Sequence, residues 1–225
     1  MPAVPGKTDA MQRRTALGQL LVTGATASAL ALGLPTAWAN EPEAPDALVR
    51  RISTEVLDAI KADRALKGGD LPRIMALVDT KVMPSVDFRR MTASAVGPAW
   101  RQATPAQRQR LQEEFKLLLV RTYAGALAQV SDQTVALKPF RSNPGDEEVV
   151  VRTEVRGRGD PIQLDYRLAR SQAAGWKIYN LNVLGVWLVD TYRSQFAQEI
   201  NARGIDGLIA SLVERNKANA AGPKG

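Results

Sequence analysis

A block of alternating residues in the middle of the chain most constrains the fold. Between residues 149 and 168, two runs place an apolar residue at every second position, and a short turn with two glycines and a proline at residues 157–161 joins them. A period of two is typical of β-strands with one buried face and one wet face. The turn is too short for a helical crossover, so we predict that these strands pair antiparallel.

The segments on both sides of this block have a helical period instead. Residues 46–130 and 190–219 carry apolar side chains three or four positions apart, opposite charged ones. Asp46, Asp70 and Asp87 stand where helix N-caps are expected. Thr104 and Gln107 form a capping box that opens a long helix. Helices, then strands, then helices predict an α+β fold.

The last part of the strand block loses its alternation. From Leu181 to Val189 almost every residue is apolar, which leaves no polar face. We predict a bent strand that kinks near Gly185 and runs into a helix capped by Asp190. The expected result is a curved antiparallel sheet of about four strands, packed against N- and C-terminal helices around an internal apolar cavity.

The N-terminus has the features of an export signal. Arg13 and Arg14 precede an uncharged, mildly apolar stretch, and Ala37-Trp38-Ala39 follows as a small-residue cleavage site. The export route is open between the general secretory and twin-arginine pathways. The predicted parts are a cleaved signal peptide at 1–39, a linker at 40–45, a single domain at 46–219 and a disordered tail at 220–225.

The composition excludes most catalytic sites. The 225 residues include no histidine and no cysteine. A Ser-His-Asp triad, a thiol nucleophile, a disulfide and any zinc site built on either residue are therefore excluded. The net charge of +7 falls to +5 when the predicted signal peptide leaves with three basic residues and one acidic residue. This balance favours weak attraction to an anionic membrane surface over nucleic-acid binding.

Several short motifs follow one another along nearly the whole predicted domain. They are Val86-Asp-Phe, Gly97-Pro-Ala-Trp-Arg-Gln-Ala-Thr-Pro, Gly175-Trp-Lys-Ile-Tyr, Gly185-Val, Thr191-Tyr-Arg-Ser-Gln-Phe and Gly204-Ile-Asp-Gly-Leu-Ile. Their order and spacing resemble the MlaC family of periplasmic phospholipid-binding proteins, also described as toluene-tolerance proteins. The resemblance implies a nuclear-transport-factor-like cone that holds phospholipid tails in its interior.

The resemblance also implies partners and a place of action. A family member would be a monomeric carrier in the periplasm, with phospholipid as its ligand, no cofactor and no catalytic step. It would exchange lipid between the inner-membrane Mla ABC transporter and the outer-membrane Mla lipoprotein–porin complex, and so maintain outer-membrane lipid asymmetry. The chain departs from the family pattern at Asn180, Leu184 and Trp187, where many members have Asp, Glu and Ser.

The candidate site follows from the chemistry of a diacyl lipid. Its tails need an apolar space, since each buried methylene is worth about 0.8 kcal/mol, while its charged head must stay in water. Inward sheet positions and facing helix positions have that chemistry, and the resemblance gives most weight to Ile162 and Val186. The candidate lipid-binding residues are Phe88, Val96, Leu119, Tyr123, Val151, Ile162, Leu164, Tyr166 and Val186.

Two other functions are compatible with such a fold. An exported enzyme of the ketosteroid-isomerase kind would need an acid and hydrogen-bond donors in the cavity, for which Asp165, Tyr166 and Tyr179 are the candidates. The alternation argues against it, because Asp165 is predicted to face solvent, opposite Leu164 and Tyr166. A ligand-free periplasmic adaptor would instead have a filled interior and an exposed apolar patch.

Overall fold

The computed structural model describes residues 43–171 and 173–220. The predicted signal peptide at 1–39, the first residues of the predicted linker and residues 221–225 of the predicted tail lie outside this range. Within it, no helix combines the length and the apolar character needed to cross a membrane.

The first half of the described chain is helical. Its N-caps lie largely where predicted: Asp70 and Asp87 accept hydrogen bonds from the third residue of their helices, and Thr104 forms the reciprocal capping box. The first helix differs, because it begins at Pro45 with Ala44 as N-cap, and Asp46 lies in its first turn. The helices are α1 (Pro45–Ala62), α2 (Arg64–Lys67), α3 (Leu71–Leu77), α4 (Phe88–Val96) and α5 (Pro105–Ala128).

The connection from α3 to α4 is irregular. The chain continues from α3 through a π-helical turn (Val78–Val82) and a 3-10 turn (Met83–Ser85) instead of one regular helix. Val86 then bridges to Ile178 in the sheet. This contact fixes the start of α4, because the next residue, Asp87, is its N-cap.

An antiparallel sheet follows, which confirms the predicted α+β class. In the described residues it contains five strands that pair in chain order, from β1 to β5. The helix α6 (Leu188–Ala220) closes the fold and packs beside α4 and α5. The strands are β1 (Thr134–Leu137), β2 (Glu148–Arg156), β3 (Ile162–Ser171), β4 (Gly175–Val183) and β5 (Val186–Trp187).

The segment predicted as one bent strand is a tight hairpin, so that prediction was wrong. Leu184 and Gly185 both have positive φ angles, 51° and 89°, and the chain reverses between β4 and β5. Two-residue turns of this kind match the twist of paired strands. Helix α6 follows β5 directly, so it begins at Leu188 and not at a cap formed by Asp190. It is also interrupted at Gly204, where φ is 71°.

Buried apolar side chains in the described part of the chain form three clusters. The α6 cluster lies between α4, α5 and α6 and centres on Phe115. The centroid of the Phe115 ring is 5.0 Å from that of Tyr192 and 5.2 Å from that of Phe196. The sheet cluster lies between α1 and strands β2 to β4. The α3 cluster lies between the end of α1, α2, α3 and α5. Val86 and Val56, both partly buried, border two clusters each.

Candidate functional site

The inner face of the sheet, which α1 covers, carries most of the predicted strand residues. Tyr166 on β3 pairs with Val151 on β2, and Leu164 pairs with Val183 on β4. Ile162, two residues before Leu164 in β3, points to the same face of the sheet. The strand alternation therefore predicted correctly which side chains share a face.

Burial along this face decreases from Leu168 towards the start of β3 at Ile162. Leu168 is completely buried in the sheet cluster. Tyr166 and Leu164 are half-buried, and Ile162 is 42% exposed. Ile162 and Leu164 belong to none of the three clusters. The inner face is thus closed at the Leu168 end and open at the Ile162 end.

Exposed apolar side chains surround the open end. Val186 on β5 pairs with Val183 and is 51% exposed, and Leu184 at the hairpin tip is 65% exposed. The backbone N–H of Leu184 donates a 3.0 Å hydrogen bond to the carbonyl oxygen of Gln163, which holds the hairpin against β3. We call Ile162, Leu184 and Val186 the apolar rim. Leu184 was not among the predicted site residues, because its exposure depends on the turn that the sequence pattern concealed.

Helix α5 carries two more of the predicted residues. Leu119 and Tyr123 are half-buried at the border of the α6 cluster, which Val183 also borders. Partial burial raises the pKa of Tyr123, so its phenol is neutral at ordinary pH. Because Val183 pairs with both Leu164 and Val186, the border of this cluster reaches the open end of the sheet.

The remaining predicted residues lie within packed clusters. Val96 is 3% exposed in the α6 cluster, and Val151 is completely buried in the sheet cluster. The ring of Phe88 lies 5.8 Å from that of Phe115. Val96 and Val151 are thus core residues, and Phe88 is partly buried against the α6 cluster. Of the six others, Ile162, Leu164 and Val186 lie at the open end of the sheet face, Tyr166 borders the sheet cluster, and Leu119 and Tyr123 border the α6 cluster.

Two polar side chains on the inner face, Tyr166 and Thr153, have polar neighbours. The Oη of Tyr166 lies 3.5 Å from the Oγ of Ser53 on α1, and Thr153 Oγ1 donates a 2.8 Å hydrogen bond to the carbonyl oxygen of Leu164. Burial raises the pKa of Tyr166. Among the described residues, no group of acidic side chains is arranged to hold a metal ion.

The residues considered for catalysis are not brought together. Asp165 and Tyr166 lie on opposite faces of β3, and Tyr179 donates a hydrogen bond to Glu148 on an exposed part of the sheet. The prediction that Asp165 faces solvent was wrong, since it is only 5% exposed. Gln163 donates a 2.8 Å hydrogen bond to its carboxylate.

Around Asp165, the outer face also carries the β4–β5 hairpin, which the sequence pattern did not reveal. Asn182 pairs with Asp165 from β4, and Trp187 of β5 lies next to Asn182. The guanidinium of Arg167 stacks 4.0 Å from the centre of the Trp187 ring. A single long strand would have left this part of the face open, which explains why the predicted exposure was too high.

A separate cleft of about 520 Å³ lies at the other end of the molecule, between the start of α1 and the β3–β4 turn. Charged side chains line much of it, including Arg51, which forms ion pairs with Glu43 and Glu55. The hydrogen bond from Arg51 lowers the pKa of Glu43. This chemistry does not suit acyl chains, so the cleft is distinct from the candidate site.

Three comparisons with known proteins agree with each other. A family model described as MlaC protein matches residues 50–214. The toluene tolerance protein ttg2D of Pseudomonas putida is 25% identical over an alignment of 189 residues that covers 81% of this chain and 87% of that protein. The intermembrane phospholipid transport system binding protein MlaC of Haemophilus influenzae is 21% identical over an alignment of 184 residues that covers 80% of this chain and 86% of that protein.

A solved structure is more similar in sequence. The phospholipid-binding protein from Ralstonia solanacearum, solved in complex with a phospholipid, is 49% identical to this chain, with a TM-score of 0.75. The match covers 78% of this chain and 98% of that chain. The two proteins therefore share the fold over 78% of this chain.

Proposed function

Because this chain belongs to the MlaC family, we propose that it is a phospholipid carrier that holds acyl chains against the inner face of the sheet. The observation that carries the proposal is the graded face of β3, which runs from buried Leu168 through half-buried Leu164 to exposed Ile162. Tails that enter there leave water, while the head group stays outside.

The comparisons support this proposal. The Ralstonia solanacearum protein was solved with a phospholipid, and the Haemophilus influenzae protein is named as the binding protein of an intermembrane phospholipid transport system. For this chain we propose export to the periplasm by the signal peptide at 1–39. There it works as a monomer, with transient contact to membrane surfaces.

The proposed route joins the two membranes. The carrier moves phospholipid between the inner-membrane Mla ABC transporter and the outer-membrane Mla lipoprotein–porin complex, which maintains outer-membrane lipid asymmetry. Transfer is passive: tails partition between the apolar face and a docked complex, and no covalent bond changes. The apolar rim lies where a lipid passes from one protein to the other.

Mass spectrometry of organic extracts from the purified protein tests the proposal directly. We expect phospholipid in stoichiometric amount. A second candidate function, the ligand-free adaptor, is favoured by the exposure of the apolar rim, since exposed apolar patches also mark protein contacts. The absence of lipid from every preparation, together with no uptake from vesicles, would overturn the carrier and leave the adaptor.

Two glutamate variants locate the site, and a third serves as their control. Ile162→Glu and Val186→Glu place a carboxylate in the path of the tails and should abolish lipid loading while the fold persists. Val150→Glu is the matched control, because Val150 is 39% exposed but lies on the outer face of the neighbouring strand, opposite Arg167. Normal loading of folded Ile162→Glu and Val186→Glu would contradict this location.

A further inference from the structure

On the inner face of β3, side-chain packing changes at Tyr166 from open to closely packed. Towards the open end, Leu164 and Ile162 belong to no apolar cluster, whereas Leu168 on the other side is completely buried in the sheet cluster. Tyr166 is half-buried and borders that cluster. It is therefore the last side chain on this face before the interior becomes closely packed.

Tyr166 also bridges the space between the sheet and α1. Its Oη lies 3.5 Å from the Oγ of Ser53, one residue beyond Ile52, which is buried in the sheet cluster. On the strand side its partner Val151 is completely buried. A large side chain that reaches from β3 to Ser53 in this way spans the space between β3 and α1.

The length of the open face matches that of a lipid tail. Tyr166 lies four positions after Ile162 in β3. At the rise of a β-strand, the distance between them is about 13 Å. The acyl chains of one leaflet span half of a hydrocarbon core of about 30 Å, or roughly 15 Å. A tail whose glycerol end lies at the apolar rim would thus bring its terminal methyl group close to Tyr166.

We propose that Tyr166 forms the floor of the lipid site and sets the acyl-chain length that the protein prefers. This inference rests on the proposed function and adds a specificity-determining residue to it. A chain that is too long must bend or leave methylenes in water, and each such methylene lowers affinity about fourfold. A chain that is too short leaves part of the apolar face unfilled.

A competition between lipids that differ only in tail length tests the floor. The delipidated full-length mature protein is incubated with vesicles that contain equal amounts of dimyristoyl-, dipalmitoyl- and distearoyl-phosphatidylglycerol, and bound lipid is quantified by mass spectrometry. Tyr166→Ala should shift the bound profile towards longer tails by roughly tenfold for each tail that reaches the floor and gains two methylenes. Tyr166→Trp should shift it towards shorter tails.

A control and a second bulky variant separate the floor from other effects. Val150→Ala changes an outward side chain on the neighbouring strand, opposite Arg167, and should leave the profile unchanged. Ser53→Leu adds bulk from the α1 side and should favour shorter tails, which tests the same floor without altering Tyr166.

The outcomes distinguish this inference from the proposed function. Folded, lipid-loaded Tyr166→Ala with the wild-type profile would overturn the floor but leave the carrier intact. Should Tyr166→Ala not fold, wild-type profiles in both Tyr166→Trp and Ser53→Leu would overturn it equally. A wild-type protein that takes up none of the three lipids would overturn the proposed function itself.

Discussion

The side-chain oxygen of Asn180 on β4 accepts a 3.1 Å hydrogen bond from the backbone N–H of Val189 in the first turn of α6. The same oxygen accepts a 2.9 Å bond from the N–H of Leu181, and Asn180 is only 1% exposed. One buried amide thus satisfies a free N–H at the start of α6 and joins this helix to the sheet across the β4–β5 hairpin.

Asn180→Ala should destabilise the protein by about 1–3 kcal/mol, because two buried N–H groups lose their acceptor. Asn180→Asp is the matched variant, since a carboxylate can accept the same bonds and suits a helix N-terminus. It should retain much more stability than the alanine variant. Urea unfolding followed by circular dichroism measures both, and equal losses would show that the acceptor is not what matters.

Gly207 leaves no room for a side chain. A Cβ at this position would lie 2.2 Å from the Cβ of Arg203, on the other side of the break at Gly204. Gly207→Ala should therefore cost about 1–3 kcal/mol through overpacking. Gly125→Ala is the control, because its added Cβ would have no described atom within 4 Å apart from its chain neighbours and the backbone of its own helix, and it should gain about 0.5–1 kcal/mol. Thermal unfolding of both variants checks the contrast.

Leu184 holds a backbone conformation that leucine disfavours. Its φ of 51° is in the left-handed region, and its side chain is 65% exposed. Leu184→Asn should stabilise the hairpin by about 1 kcal/mol, since asparagine followed by glycine suits this turn. Leu184→Ala removes the apolar side chain but keeps the strain, so it should show no such gain. A lower unfolding midpoint for the asparagine variant would contradict this account.

Glu148 links stability to acid pH. The hydrogen bond from Arg90 and then that from Tyr179 lower the pKa of Glu148 below its ordinary value of 4.5. Because the pKa of Glu148 is lower in the folded state, its ionised form stabilises the fold fully at pH values above the ordinary pKa. This stabilisation is lost as the pH falls through the lower pKa of the folded state. Glu148→Gln should therefore have a lower free energy of unfolding than the wild type at neutral pH. In acid, the difference between the two free energies should be smaller. Because the side chain is 53% exposed, the effect should be small and weaken in salt.

The sequence predicted local structure best where short-range chemistry decides it. The capping box at Thr104 and the caps at Asp70 and Asp87 need only a side chain and the next turn of helix. The shared face of Ile162, Leu164 and Tyr166 likewise follows from the period of a strand. The structure confirms these features. They could be predicted because contacts distant in the sequence do not compete with them.

The errors arose where tertiary contacts decide the outcome. The run from Leu181 to Val189 contains a turn that only the paired strands reveal, since Leu184 is an unusual residue for positive φ. That error also hid the hairpin beside Asp165 and the exposure of Leu184. Within the candidate site, alternation could not separate packed Val151 from open Ile162, because both are apolar positions of the same face.

The three separate apolar clusters bear on how such a protein could survive a cycle of filling and emptying. Val56 and Val86 each border two of these clusters, and each cluster is stabilised by its own set of elements. A guest molecule at the open end of the sheet would touch the borders of these clusters without separating their buried centres. Loading and unloading would then change surface contacts at modest cost, and neither state would require the chain to unfold.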